Sequence, residues 1–467
     1  MKVNDTDPRV SAMAEDWRLI ETLLGGTKAM RAAGERYLPR YSLETEQDYK
    51  ARINTATLFP ALAQTIRELT GRVFGETIAL DDEAPEWIRG DVWPDIDRQG
   101  ANGHVFARAW WREGLALGLC HVLVEAPQVV ARSQAEQRQA GARPYCILLT
   151  PQRVLGWKHA ADGSLAQLRI TWSRTEPGEF GDTTVPQIRV YDTVPGSTVI
   201  VREFEERKAA NGNEKEWVQV GQIATGVTSI PLATFYTGKT APMCAEPPLR
   251  ELGYLNAKHW ALQASSDSLL QVASVPLLAV IGVNEDAQTI PVGSKAALNL
   301  PPGGDAKWVE HSGKAIESGR DQIKDLEAQM KAVGAKLIEP GGATKTATQA
   351  GEEAASANSV LAGWVQDFAD SMAALLDVIA GYRDDETGGK VKLHADLDPD
   401  SAPVESMQVL SKMRAQGDLS RATLFAEAQR RGLVSSETTW DDEQERIAME
   451  GPEPEPEPNP QPGAVNA

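Results

Sequence analysis

Between Gly313 and Tyr382, apolar residues recur at helical spacing in two runs separated by a short polar break. Ile316, Ile323, Leu326, Met330, Val333 and Leu337 step by three and four after an opening step of seven, and Leu361, Val365, Phe368, Met372, Leu375, Leu376 and Ile379 repeat that period. Each stripe predicts a helix with one buried face. The interruption, Glu339-Pro-Gly-Gly-Ala-Thr-Lys-Thr346, cannot continue either helix, because Pro340 lacks an N–H and two glycines disfavour helix entropically. At 1.5 Å per residue the two arms would span roughly 40 and 50 Å, where a typical helix has about 11–12 residues. Long arms joined by a small polar loop predict a scaffold rather than an enclosed catalytic pocket.

The same reading covers the rest of the chain. Val10, Met13, Trp17, Ile20 and Leu24 predict a helix that Gly25-Gly26 ends. A turn at Leu38-Pro39 precedes a polar helix over Glu46–Thr57. Pro60 then suits the first turn of a helix burying Leu62, Ile66, Leu69 and Val73 and stopping at Gly75. Residues 76–100 are acidic and turn-rich, with Trp87 and Trp93 as isolated anchors, and a helix follows over roughly 102–118. Its Trp110-Trp111 pair offers base stacking, but beside apolar neighbours at helical spacing the expectation is core packing.

From Cys120 the period changes to two. It predicts strands at His121–Glu125, Tyr145–Leu149, Leu168–Trp172, Ile188–Tyr191, Thr198–Phe204, Trp217–Ile223 and Leu232–Tyr236, with hairpin signals at Asp162-Gly163 and Asn211-Gly212. Gln128–Arg143 is a polar insertion compatible with loop or helix. The block reads as one antiparallel sheet domain between helical parts. Helix returns over Pro248–Val275, followed by short strands at Leu277–Val283, Thr289–Val292 and Ala297–Leu300 and a turn at Pro301–Gly304. Past the two arms, helices are expected at Val404–Gln416, from an N-cap at Ser420 to Gly432, and at Ser436–Met449. The Pro-Glu repeat after Gly451 predicts an extended, disordered tail.

Length and charge narrow the function. At about 150 residues per domain, 467 residues suggest three units. A net charge of −19 argues against gripping nucleic acid by neutralising phosphates, yet suits a surface past which nucleic acid must slide. Cys120, Cys146 and Cys244 are too few and scattered for a disulfide framework or a zinc site, so a reducing, cytoplasmic setting is expected. The N-terminus lacks the apolar core of a signal peptide. The most apolar run, Leu269–Val283, is too short for a bilayer and contains Gln271, Ser274 and Pro276.

Catalytic patterns are missing. Gly25-Gly-Thr-Lys28 and Gly341-Gly-Ala-Thr-Lys345 hold phosphate-loop residue types without the spacing that makes backbone N–H groups converge on a phosphate. The histidines (His104, His121, His159, His259, His311, His394) have no partner at ligand spacing, so no metal or cofactor is expected. Carboxylate pairs such as Asp81-Asp82, Glu352-Glu353, Asp384-Asp385 and Asp441-Asp442 read as solvated faces; a hydrolase built on one of them is the remaining enzymatic alternative. The expectation is a protein that is not an enzyme.

Four stretches, in order, resemble the portal proteins (head-to-tail connectors) of tailed bacteriophages. They are Arg36-Tyr-Leu-Pro-Arg40 with Glu46-x-Asp48-Tyr49-x-x-Arg52; Pro247-Pro-Leu-Arg-Glu-Leu-Gly-Tyr-Leu-Asn-Ala-Lys-His-Trp260; Leu300–Glu310 leading into Leu326–Leu337; and Gly417–Ser420 through Arg430-Arg-Gly432. The resemblance implies an α+β fold, mainly helical, with a β-rich wing over 1–246, stem helices over 247–275 and 313–338, and a small α/β clip over 276–312. It further implies a tunnel loop over 339–346, a long wing helix and loop over 347–402, a crown over 403–450 and a tail over 451–467. Under it, Gly341, Gly342, Ala343, Thr344, Lys345 and Thr346 would face duplex DNA, with Lys345 equally readable as a solvated loop charge. Asn284, Glu285, Asp286, Gln288 and Lys295 would form the partner-facing clip. A portal is a ring, usually of twelve copies, at one capsid vertex of the virion, assembled in the host cytoplasm. It passes DNA during packaging and ejection without sequence specificity, and it docks the terminase large subunit, a head-tail adaptor and the major capsid protein. The alternative is another head or tail assembly protein that binds a partner through its long helices.

Overall fold

A computed structural model describes residues 2–127, 143–208, 215–273, 277–281, 305–309, 314–338, 347–383, 385–393, 403–430, 433–434 and 438–450. The chain forms two compact units, 1–397 and 398–467. In the first, helices α1 (Pro8–Leu24), α2 (Gly26–Ala33), α3 (Glu46–Thr55), α4 (Ala61–Val73) and α5 (Gly103–Leu117) precede the strands. Asp7 caps α1 by accepting the Arg9 N–H, with Pro8 at the first turn where no N–H is needed. The Gly25-Gly26 pair ends α1 as expected, with Gly25 as its C-cap, but no loop follows. Gly26 takes φ 71°, which re-aims the chain and lets α2 start at once. The predicted face of α4 is the buried one: Leu62, Ile66, Leu69 and Val73 are all core residues.

The single sheet domain expected from the alternating block is two sheets. Strands β2 (Leu119–Glu125), β3 (Tyr145–Leu149) and β9 (Leu232–Tyr236) form one, in the order β3-β2-β9. Strands β4 (Val154–His159), β5 (Leu165–Glu176), β6 (Thr183–Asp192), β7 (Ile200–Lys208) and β8 (Lys215–Ala224) form a five-stranded antiparallel meander. Strand β4 was not expected, because Val154, Leu155, Gly156 and Trp157 are all buried and show no alternation to read. Gly163 lies at φ 85° in the Asp162-Gly163 turn joining β4 to β5. The Asn211-Gly212 turn and the 128–142 insertion lie outside the described residues.

The two sheets are locked by one carboxylate. Glu125, at the end of β2, accepts hydrogen bonds from Arg189 Nη1 (2.6 Å) and Tyr191 OH (2.8 Å) on β6 and from Tyr145 OH (3.1 Å) on β3. On one face of the meander, Leu168, Ile170, Tyr191 and Val201 join the main core. On the other, Leu155, Ile188 and Val190 are covered by Val3, Phe204 and Trp217. Arg169 holds the N-terminal segment there by donating from Nη1 to the carbonyls of Lys2, Val3 and Asp5.

Small pairs complete the first unit's strands: β1 (Ala79–Leu80) with β14 (Val391–Lys392), β10 (Lys239–Ala241) with β11 (Cys244–Ala245), and β12 (Leu277–Ile281) with β13 (Asp305–Val309). Long helices α6 (Arg250–Ala273), α7 (Lys314–Ile338) and α8 (Ala347–Ala380) match the expected arms within a few residues. The expected strands at 289–292 and 297–300 lie outside the described residues; the partner of β12 is instead β13, directly after the Pro301–Gly304 segment. Among the described residues no helix is long and apolar enough to cross a membrane.

The second unit has helices α9 (Pro403–Gln416), α10 (Arg421–Arg430) and α11 (Trp440–Glu450). Ser420 caps α10 as expected, accepting the Thr423 N–H at 3.0 Å. The last helix starts at Trp440, not Ser436. Thr439 and Asp442 cap it reciprocally: Thr439 Oγ1 accepts the Asp442 N–H while Asp442 Oδ2 accepts from Thr439. Phe425 packs on Trp440 with ring centroids 5.4 Å apart. The Pro/Glu tail lies outside the described residues.

Candidate functional site

The candidate loop residues Gly341, Gly342, Ala343, Thr344, Lys345 and Thr346, and the candidate clip residues Asn284, Glu285, Asp286, Gln288 and Lys295, lie outside the described residues. What the structure describes is the frame that carries them. Helices α6 and α7 pack antiparallel: Leu262, Ser265, Ser266 and Leu269 of α6 line one groove with Ile316, Gly319 and Gln322 of α7, and His259 faces Glu327 further down the pair. The β12–β13 hairpin connects their far ends, with Leu277 opposite Val309 and Ile281 opposite Asp305. The 282–304 segment therefore springs from a two-stranded stalk at the tip of a helical arm.

The arm is rooted by α4 and α1. Leu19, Ile20 and Leu23 of α1 pack beside Gly253 of α6, where a Cβ would meet them in ordinary van der Waals contact. The buried Asn256 performs a more specific task. Helix α4 has no side-chain cap of its own, since Pro60 occupies its N-cap. Asn256 Oδ1 accepts the orphan Leu62 N–H at 3.2 Å and its Nδ2 donates to the Phe59 carbonyl at 2.8 Å. One helix thus supplies the N-terminal cap of another. Nearby, the buried His259 stands 5.3 Å from the Phe59 ring, with Nε2 3.3 Å from Glu327 Oε1. On α7, Ile323, Leu326 and Met330 are buried, and a Cβ at Gly334 would press within 3.0 Å of Thr65 on α4.

A turn before α3 braces the arm from the side. Its residues belong to the first of the four recognised stretches and to the link inside it. Arg52 donates from Nε and Nη2 to the two Glu44 carboxylate oxygens, each at 2.7 Å, and from Nη2 to the Pro39 carbonyl. Both side chains of this ion pair are buried. The Arg52 hydrogen bonds hold the Glu44 carboxyl below its ordinary pKa, against a smaller opposing effect of burial. Tyr41, under the Arg52 guanidinium at 4.3 Å, donates its hydroxyl to Ser265 of α6. Spacing alone could not pair Glu44 with Arg52, because Glu44 lies outside α3, in the turn before its Thr45 N-cap, and helical periodicity does not reach it.

Helix α8 is anchored differently. Phe368 inserts among Trp110 (5.4 Å), Trp111 (5.4 Å), Phe235 (4.8 Å) and Phe74 (5.9 Å), mostly edge to face. The tryptophan pair is fully buried and packs as core, as its spacing predicted. Leu361, Met372, Leu375, Leu376 and Ile379 complete the buried stripe. The 339–346 segment is therefore tied at one end to a helix braced by α4 and at the other to a helix cemented into the aromatic core.

Among the described residues, no three His, Cys, Asp or Glu side chains gather as a metal site. His121 is a core residue with Nδ1 2.8 Å from Thr234 Oγ1, and burial lowers its pKa to about 3. Cys120 and Cys146 are buried, and burial raises both thiols well above their ordinary value.

The chain thus combines mixed helix and antiparallel sheet with a long helical arm. Residues 248–383, which hold the arm and α8, match a family described as a domain of unknown function, DUF4055. No curated protein matches the chain. Similar solved structures include the virion of a native gene transfer agent particle, at 17% identity over 84% of this chain and 96% of that one, with a TM-score of 0.43. The neck of an empty gene transfer agent particle with C6 symmetry is similar at 16% identity over 83% and 94%, with a TM-score of 0.44. The neck of the native particle with C12 symmetry follows at 16% over 84% and 96%, with a TM-score of 0.40.

Proposed function

We propose that this chain is a portal subunit, one copy of a ring at a capsid vertex through which duplex DNA is packaged and ejected. The observation that carries the reading is the arm: two paired helices, a strand-based stalk between their far ends, a Pro-Gly-Gly break, then a long helix rooted in the body. That order is the one the four recognised stretches imply. In this reading the 282–304 segment docks the terminase large subunit and later a head-tail adaptor, the body meets the major capsid protein, and the 339–346 loop faces DNA. The chain performs no catalysis and takes no cofactor; nucleotide hydrolysis belongs to the packaging motor.

Negative-stain images of the purified full chain test the proposal. Ring-shaped particles with a central hole are the expected result, and uniformly monomeric particles across a range of salt would overturn it. Deleting Gly341–Lys345 should then leave the rings intact while lowering the amount of DNA packaged or retained. Normal packaging by that variant would remove the loop from the mechanism.

A further inference from the structure

The N-terminal segment sits in a socket on the face of the meander turned away from the main core. Exposure alternates along it: Val3, Asp5 and Asp7 are half-buried, while Lys2, Asn4 and Thr6 are exposed. Val3 rests on Leu155, Ile188 and Val190, a small cluster separate from the main core. Beside it, Arg169 Nη1 donates to the carbonyls of Lys2 (3.1 Å), Val3 (2.9 Å) and Asp5 (2.8 Å). Three oxygens thus converge on one cationic nitrogen that carries two N–H groups. No carboxylate pairs with Arg169 among the described residues, so its charge is directed at the backbone of the segment. The segment is itself folded into a turn: the Asp5 N–H donates to the Lys2 carbonyl at 3.2 Å and the Lys2 N–H donates to the Asp5 carboxylate.

The sheet is shaped for this guest. Leu155 is the extra residue of a bulge between Val154 and Gly156, and its carbonyl accepts the Asp7 N–H at 2.7 Å. A Cβ at Gly156 would stand 2.7 Å from Arg169 Nη2 and 3.2 Å from the Asp7 Cβ, so a side chain there would push the guanidinium from its place. Strand β4 is an edge of the meander. An uncovered edge is a template on which a further strand can pair, and here the segment covers it.

We propose that this socket is a peptide-binding site with an exchangeable occupant. Residues 2–6 fill it in cis. When they leave, it takes a separate extended peptide of the same pattern, a β-branched residue two positions ahead of a carboxylate. Two features make the occupant separable. Residues 2–6 add nothing to the main core, so they can leave without opening it. Their contacts to Arg169 use backbone oxygens, which any extended segment carries. The turn within the segment lowers the entropy that binding must overcome. The segment is therefore a latch: closed, it covers the β4 edge and the Leu155 cluster, and open, it bares both. The site is independent of the ring reading.

Hydrogen exchange on the full chain and on a variant lacking residues 2–6 tests the latch. In the variant, exchange over Val154–His159 and Ile188–Val190 should rise about tenfold, while α8 around Phe368 keeps its wild-type rate. A synthetic peptide of residues 1–6, amidated at its C-terminus and supplied at millimolar concentration, should return the protection. The same peptide carrying Val3→Asp should not. If the deletion prevents folding, Val3→Asp in the full chain opens the latch and takes the same two peptides. Unchanged local exchange, an equal rise in α8, or protection by both peptides or by neither would overturn the site.

Discussion

The aromatic root of α8 and the paired helices of the arm are both long-helix structures, but they hold their shape by opposite means. Around Phe368, several fully buried rings meet edge to face, and helix and sheet share one core. At the outer ends of α6 and α7, residues 265–271 and 316–322 are half-buried or exposed, Leu269 is half exposed, and a groove of about 160 Å³ opens between the helices. Burial stabilises in proportion to apolar area removed from water. The root therefore supplies stability to the body, while the outer arm spends little of its surface on itself. A surface of that kind is free to meet a partner.

Substitutions can break that contrast. The largest effect should come from Phe368→Ala, which empties the middle of the aromatic cluster and should cost about 3–5 kcal/mol in urea unfolding of the full chain. A loss below about 1 kcal/mol would show that the root is not the main anchor. A pH titration addresses the same body. His121 is held neutral by burial, with its pKa lowered to about 3. Between about pH 6.5 and 3 the unfolded chain binds the extra proton and the folded chain does not, so stability falls as the pH falls. Within that window the His121→Gln variant should lose stability less steeply than wild type, by about 1.4 kcal/mol per pH unit. Identical slopes would mean that the site opens to take the proton.

Asn256→Ala probes the junction of root and arm. It strands the Leu62 N–H, while the Phe59 carbonyl keeps the Ala61 N–H at 3.0 Å, and about 1–3 kcal/mol should be lost. Hydrogen exchange at the start of α4 should rise more than at its end; a uniform rise would argue against a local cap. The smallest effect is expected at the outer arm. Leu269→Ser should change monomer stability by less than about 0.5 kcal/mol. A larger loss would show that the groove is part of a core.

Periodicity was a reliable guide wherever one face of an element meets one neighbour. Helix α4, strand β9 and the stripes of α7 and α8 follow the pattern, because burial there alternates with the local geometry. It failed at β4, where both faces are covered, and at β13, where a Pro-Pro-Gly-Gly segment hides a strand behind it. The frame of the candidate site was legible in this way, as helix, strand pair, helix and helix. Its bracing was not. Glu44 with Arg52, Tyr41 with Ser265 and Asn256 with Leu62 are contacts whose partners leave no mark on each other's neighbours in the chain.

What the sequence determined by itself was the set of elements: long helices, a polar Pro-Gly-Gly break, a strand-rich block and an acidic surface. What only the tertiary structure decided was their joining. Strand β9 returns more than a hundred residues later to pair with β2, and one carboxylate, Glu125, couples two sheets. The reason is physical. Helical and strand periods are set over a few neighbouring residues, whereas the choice of partner depends on which distant surfaces can be desolvated together without leaving a polar group unpaired.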